Sequence, residues 1–198
     1  MSIVIAVPKP RSEREDIDYP VEEKLGQGKK HELRFTEMLS FLRIVFAEQK
    51  SFIVGGDRFI YYEKGKWNKF VAPDAFVVKD FYGEEPDAFK IWETPLDLRF
   101  VCEIWSAQND EAERQRKFAV YQDVLKAKEY VELTEDERLY AYRLNDEGDY
   151  EQLLPNEHGR FELQALNAEI VFEDALIRIY KDGEKIPTLQ EALKNRAV

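Results

Sequence analysis

Three charged residues occupy positions where a charge is awkward: Asp74 in Ala72-Pro-Asp74-Ala75, Glu103 in Val101-Cys-Glu-Ile-Trp105, and Lys117 in Arg114-Gln-Arg-Lys-Phe118. Asp74 opens an apolar run behind a proline. Glu103 interrupts the run Leu98, Phe100, Val101, Cys102 and Ile104, where an ionised carboxylate is costly unless it meets a cation or a hydrogen-bond donor. Lys117 follows Glu113 by four residues and precedes Tyr121 by four, so the three share one edge of a helix. Two carboxylates on neighbouring strands with a lysine nearby suit phosphodiester hydrolysis. The carboxylates hold Mg²⁺ or Mn²⁺, the metal polarises the phosphate and lowers the pKa of water, and the lysine orients the nucleophile or offsets developing charge. The same residue types also suit a buried Glu103–Lys117 ion pair with Asp74 capping a turn, and the residues alone leave both readings open.

Other chemistries find less support. Gly26-Gln-Gly28 and Gly55-Gly56 carry neither a Walker lysine nor a GxGxxG frame, so nucleotide binding is not indicated. Ser106 lacks a nucleophile-elbow context, and His31 and His158 are the only histidines that could complete a triad. His31 reads as a surface or helix-start histidine rather than a ligand. Tyr61, Tyr62, Trp67 and Phe70 among lysines could stack on single-stranded bases, although aromatic residues at strand spacing more often belong to a core. Cys102 reads as a small buried hydrophobe.

Periodicity gives the elements that must position these residues. Leu33, Met38, Leu39, Leu42, Val45 and Phe46 recur at helical spacing and predict an amphipathic helix over about residues 29–48. Residues 52–54, 59–62 and 75–78 read as a strand meander, 86–95 as a loop, and 98–104 as a central strand covered on both faces. A second helix, capped by Ser106, is expected from about Asn109 to Lys126, with Phe118, Tyr121, Val124 and Leu125 as its apolar stripe. Strands at 130–133, 139–144, 170–172 and 176–180 and a helix at 189–195 follow. Residues 1–23, with three prolines and six acids, read as an irregular arm, and residues 24–198 as one mixed α/β domain, a β-sheet flanked by helices.

Composition sets the outer bounds. A chain of 198 residues with 44% hydrophobic content can bury a core. Its formal charge of -11 excludes a uniformly basic nucleic-acid coat. The charge is uneven: residues 24–72 hold ten bases against five acids, whereas 145–174 hold nine acids and one base, Arg160. The basic half can therefore hold a polyanion. One cysteine excludes an internal disulfide or a cysteine-ligated zinc finger. With no charged segment ahead of the first apolar residues and no apolar run near the ~20 residues that span a bilayer, a cytoplasmic protein is expected.

Taken in order and spacing, Val71-Ala-Pro-Asp-Ala-Phe-Val-Val78, Phe100-Val-Cys-Glu-Ile-Trp-Ser106 and Arg116-Lys-Phe-Ala-Val-Tyr121 resemble the Uma2 family (DUF820) of bacterial endonucleases, abundant in cyanobacteria. The resemblance covers about residues 20–185, including Gly159-Arg-Phe-Glu162 and Ile177-Arg-Ile-Tyr180-Lys-Asp-Gly183, which are similar to the family's terminal strands. It implies a restriction-endonuclease-like PD-(D/E)XK core and metal-dependent cleavage of DNA. Asp74 matches the family's Pro-Asp aspartate and Glu103 its strand glutamate. Trp105 stands where a lysine is usual, and Lys117 matches a lysine relocated to the following helix. The main-chain carbonyl of Ile104 is implied as a further metal ligand. The chain departs from the pattern at Ala107-Gln-Asn109, where Pro-Ser-Thr is usual, and beside His31, where basic residues replace an acid; Glu32 and Glu37 are the remaining candidates for a helical glutamate. The alternative is a catalytically weak nuclease-fold module that binds DNA or protein. A homodimer would suit a duplex cutter, since two strands need two sites.

Overall fold

The computed structural model describes residues 28–82, 84–106 and 110–196. The expected arm over 1–23 and the expected helix start at Asn109 lie outside the described residues. Helix α1 (Lys29–Val45) buries Met38, Leu39, Leu42 and Val45 as the periodicity predicts, together with Phe41, whereas Leu33, expected in the same stripe, is exposed, as is Ile44. It stops before residue 48 because its last turn tightens: the Ala47 N–H donates to the Ile44 carbonyl and the Gln49 N–H to that of Phe46. Phe46 then stacks on Phe52 at 4.7 Å, which turns the chain into the first strand.

Strands β1 (Phe52–Gly55), β2 (Ile60–Tyr61), β3 (Phe70–Val71), β4 (Ala75–Lys79), β5 (Phe89–Lys90) and β6 (Asp97–Ile104) precede helix α2 (Glu111–Ala119) and a π-helical turn (Val120–Val124). After them come β7 (Glu129–Leu133), β8 (Leu139–Leu144), β9 (Tyr150–Gln152), β10 (Phe161–Leu163), β11 (Ala168–Glu173), β12 (Leu176–Lys181), β13 (Glu184–Lys185) and helix α3 (Leu189–Arg196). The main sheet runs β1-β4-β6-β7-β8-β9, with β6 and β7 parallel and the other pairs antiparallel. A parallel pair needs a crossover, and α2 with its π-turn supplies it. Strands β10-β11-β12-β13 form a second sheet, and β3-β2-β5 a small third one. The result is the expected mixed sheet flanked by helices, with additional C-terminal strands.

β6 is central, and its alternate residues feed two cores. Phe100, Cys102 and Ile104 join α1 and the C-terminal strands, including Ile170, Ile177 and Ile179. Val101 joins Val120, Tyr121, Leu125 and Tyr130 on the α2 side. The β4 register passes from Val77↔Phe100 to Val78↔Leu98, so Arg99 is an extra residue in the ladder and Leu98 shares the face of Val101.

Three expectations are corrected. The 86–95 segment holds strand β5, because the buried Phe89 donates its N–H to the Phe59 carbonyl at 2.8 Å and meets Phe76 and Phe81 edge-on. Helix α2 is capped by Asp110, whose side chain accepts the Glu113 N–H at 2.6 Å, and not by Ser106. Val124 is exposed rather than part of the apolar stripe, because the π-turn resets the helical register after Val120. Among the described residues no helix is long and apolar enough to cross a membrane.

Phe41 is wholly buried between α1 and the sheet. Phe41→Ala should cost about 3–5 kcal/mol in urea unfolding. Leu154→Ala, at a highly exposed side chain, should change stability by no more than about 0.5 kcal/mol.

Candidate active site

Asp74 sits immediately before β4, one step beyond the pair Ala75↔Cys102, which sets it across the ladder from Glu103. One carboxylate oxygen, Oδ2, accepts the Ile104 N–H at 2.6 Å, and Oδ1 lies 3.0 Å from His31 Nε2. Of the two placements expected for His31, helix start or surface, the structure shows the helix start. It stands in the first turn of α1 with its side chain only 14% exposed, its ring turned to Asp74. Gly56 backs this point so closely that a Cβ there would lie 2.3 Å from the Asp74 carbonyl oxygen. The next residue, Asp57, donates its N–H to the Pro73 carbonyl at 2.9 Å with φ 52°, which fixes the loop against the Pro73-Asp74 step.

Glu103 is 2% exposed. Lys117 Nζ, reaching over from α2, donates to both of its oxygens at 3.1 and 3.0 Å and to the Ala72 carbonyl at 3.2 Å, which uses all three ammonium protons. Tyr121, one helical turn further on, donates its hydroxyl to Glu103 Oε1 at 2.5 Å. Lys117 Nζ also lies 5.4 Å from the Trp105 ring centre, so the ammonium occupies the space over the residue that replaces the usual lysine.

A second buried carboxylate went unread in the sequence. Glu132 pairs with Glu103 across the parallel β6–β7 ladder and accepts from Trp105 Nε1 at 3.0 Å, Tyr130 Oη at 3.1 Å, and the Arg114 fork at 2.9 and 2.6 Å. Arg114 lies one turn before Lys117, so its bidentate grip ties the start of α2 to the sheet and sets where the ammonium falls. Of the helical glutamates considered, Glu32 is exposed, and Glu37 faces Arg178 and Glu191 near the C-terminal sheet.

Burial pushes the Glu103 carboxyl up to about 7; the Lys117 charge opposes this and the Asp74 charge adds to it. Burial pulls the Lys117 ammonium down, but Glu103 and Asp74 outweigh it and the net shift is upward. The hydrogen bond to Asp74 raises His31, against desolvation, with the charges of Asp74 and Glu103 adding. Burial and Asp74 together raise Asp57.

The donor set fits a hard divalent cation. An ionised carboxylate offers about four lone-pair sites; Asp74 uses two and Glu103 three, so oxygen positions remain on both. Among the described residues no three His, Cys, Asp or Glu side chains group as a metal cluster.

Residues 6–172 match the model of the Uma2 family, described as "Putative restriction endonuclease". No curated protein matches the sequence. Among solved structures, the chain is similar to "a putative nuclease belonging to DUF820" from Anabaena variabilis ATCC 29413, with 17% identity, TM-score 0.47, and coverage of 69% of this chain and 71% of that one.

The raised groups give a pH signature with a definite sign. Between about 4.5 and about 7 the folded state holds the Glu103 proton and the unfolded chain releases it, so rising pH removes stability; the raised His31 acts in the same direction above 6.5. Measured without divalent ions, the stability of wild type relative to Glu103→Gln should fall by on the order of 2 kcal/mol from pH 5 to pH 8. A difference that stays flat across that range would show that Glu103 is ionised throughout.

Proposed function

The chain belongs to the Uma2 family, and on that premise we propose that it is a metal-dependent endonuclease hydrolysing phosphodiester bonds in DNA. The observation that carries this reading is the meeting of Asp74 with Glu103 at the ends of paired strands, with Lys117 bonded to both Glu103 oxygens. Asp74 and Glu103, with the Ile104 carbonyl, would hold Mg²⁺ or Mn²⁺. When bound, such an ion polarises the phosphate and lowers the pKa of water.

The chain's own residues do the rest. The Ile104 N–H and His31 fix the rotamer of Asp74, and Lys117 and Tyr121 fix that of Glu103. Lys117 opposes protonation of the buried carboxylate. On substrate binding it exchanges one of its bonds for a phosphate oxygen and offsets the charge that develops as water attacks phosphorus and the ester oxygen leaves. DNA would lie along the basic side, where the exposed Lys29 opens α1 and Arg116 bonds to the Phe70 carbonyl beside Lys69. A homodimer would supply one site per strand.

A second reading has its own support: Lys117 bonds both Glu103 oxygens, and among the described residues no three acidic, histidine or cysteine side chains group as a metal cluster, as in a nuclease-fold protein that binds DNA or protein without cutting it. Purified protein incubated with Mg²⁺ and supercoiled, linear or single-stranded DNA separates the two. Cleavage should fall at least 100-fold in Asp74→Asn, Glu103→Gln and Lys117→Met, while DNA binding persists. Charge reversal of Lys29 and Lys69 should weaken binding and flatten its salt dependence. Wild type that cuts none of these substrates would leave the binding-module reading in place.

A further inference from the structure

The hairpin over residues 62–69 joins β2 to β3, and its aromatic residues divide sharply. Phe59, Tyr61 and Phe70 pack on one another, with Phe59 stacked on Phe70 at 4.2 Å and Tyr61 wholly buried. Trp67, at the tip, is 58% exposed and has no ring, cation or hydrogen-bond partner among the described residues. The hairpin is closed without it, by the Tyr62 N–H on the Lys69 carbonyl at 3.0 Å and a turn through Gly65 at φ 86°. Tryptophan gains much from burial, and this hairpin, closed without it, leaves its ring presented to solvent.

The root of this hairpin is bonded to the helix that carries Lys117. Arg116 donates to the Phe70 carbonyl at 3.3 Å and Lys117 to that of Ala72 at 3.2 Å. Five chain steps separate Trp67 from Ala72, so their Cα atoms lie within about 18 Å of each other, the length of about five stacked nucleotides at ~3.4 Å each. Around it, Lys64 is exposed and Lys69 half-buried, and neither is paired among the described residues, whereas Lys66 is taken by Glu63. A flat aromatic face among free ammonium groups suits a nucleobase with its phosphates. In a paired duplex both faces of each base are covered, so only an unpaired base can take the stack.

Resting on the reading of the site as a DNA nuclease, we infer that the 62–69 hairpin grips unpaired nucleotides beside the scissile phosphate, with Trp67 stacking on a base and Lys64 and Lys69 meeting the backbone. The substrate class is DNA with a single-stranded or frayed segment at the cut.

The test is binding in EDTA, which needs no cleavage and so stands apart from the activity assay. A labelled 20-mer, single-stranded or annealed to its complement, is titrated at fixed salt with wild type, Trp67→Ala and Trp67→Phe, with unfolding midpoints confirming that the exposed position leaves folding unchanged. Trp67→Ala should bind the single strand 10- to 100-fold more weakly and the duplex within twofold of wild type, and Trp67→Phe should recover most of the loss. Equal affinities of wild type and Trp67→Ala for the single strand, or equal losses on both forms, overturn the inference. Binding of neither form, or Trp67-dependent binding to phosphatidylserine vesicles without single-strand preference, overturns it too. An inactive wild type that keeps the Trp67-dependent preference removes the nuclease reading and leaves the grip.

Discussion

The contact between Glu103 and Lys117 is the constraint around which the molecule is arranged. A carboxylate in the middle strand of a covered sheet is tolerated only with a cation at hydrogen-bonding distance, and that cation comes from the one helix that can reach it, the crossover required by the parallel β6–β7 pair. The π-turn follows from the same demand, since it allows Tyr121 to close on Glu103 while Val120 and Leu125 still pack in the core. Arg114 on Glu132 then fastens the other end of the helix. Removing Glu103, Lys117 or Arg114 leaves a charge without its partner, Lys117, Glu103 or Glu132 respectively, so the pairs are not separable contacts.

How much of this could be read from the sequence depends on whether the signal was local. Glu103 announced itself by breaking an apolar run, and Lys117 by its i±4 relation to Glu113 and Tyr121; the structure joins the two by direct bonds. Glu132 carried the same signature within Tyr130-Val-Glu-Leu133, a charge at the alternate position of a buried strand, and was legible by the same rule. His31 was not, because its partner lies 43 residues away and nothing in its own helix distinguishes it. Asp57 was hidden for a similar reason: its place depends on Gly56 fitting against the Asp74 backbone. Among the described elements, the long helix and the β-branched strands could be read from periodicity; of the four two-residue strands only β2 falls within an expected run, residues 59–62, and β3, β5 and β13 are too short to carry a pattern.

The distribution of charge separates two tasks. Carboxylates that are buried and satisfied, such as Glu129 with Arg143 and the backbone N–H groups of Gln164 and Ala165, tie the C-terminal sheet to the main one. Asp74 and Glu103, in contrast, keep part of their hydrogen-bonding capacity in reserve and raise the proton affinity of the groups around them. Perturbed proton affinities gathered in one place distinguish this group of carboxylates from the fully satisfied ones with the same residue types.

One thiol stands back to back with this centre. Cys102 is the only cysteine, is wholly buried, and points into the α1-side core, whereas the adjacent Glu103 points to the α2 side. Burial also holds its proton firmly, so a thiol reagent meets it only when β6 separates from α1. The rate of alkylation at Cys102 is therefore a built-in clock for the opening of the central strand. The sheet itself keeps the reporter out of contact with the buried ion pair one residue away.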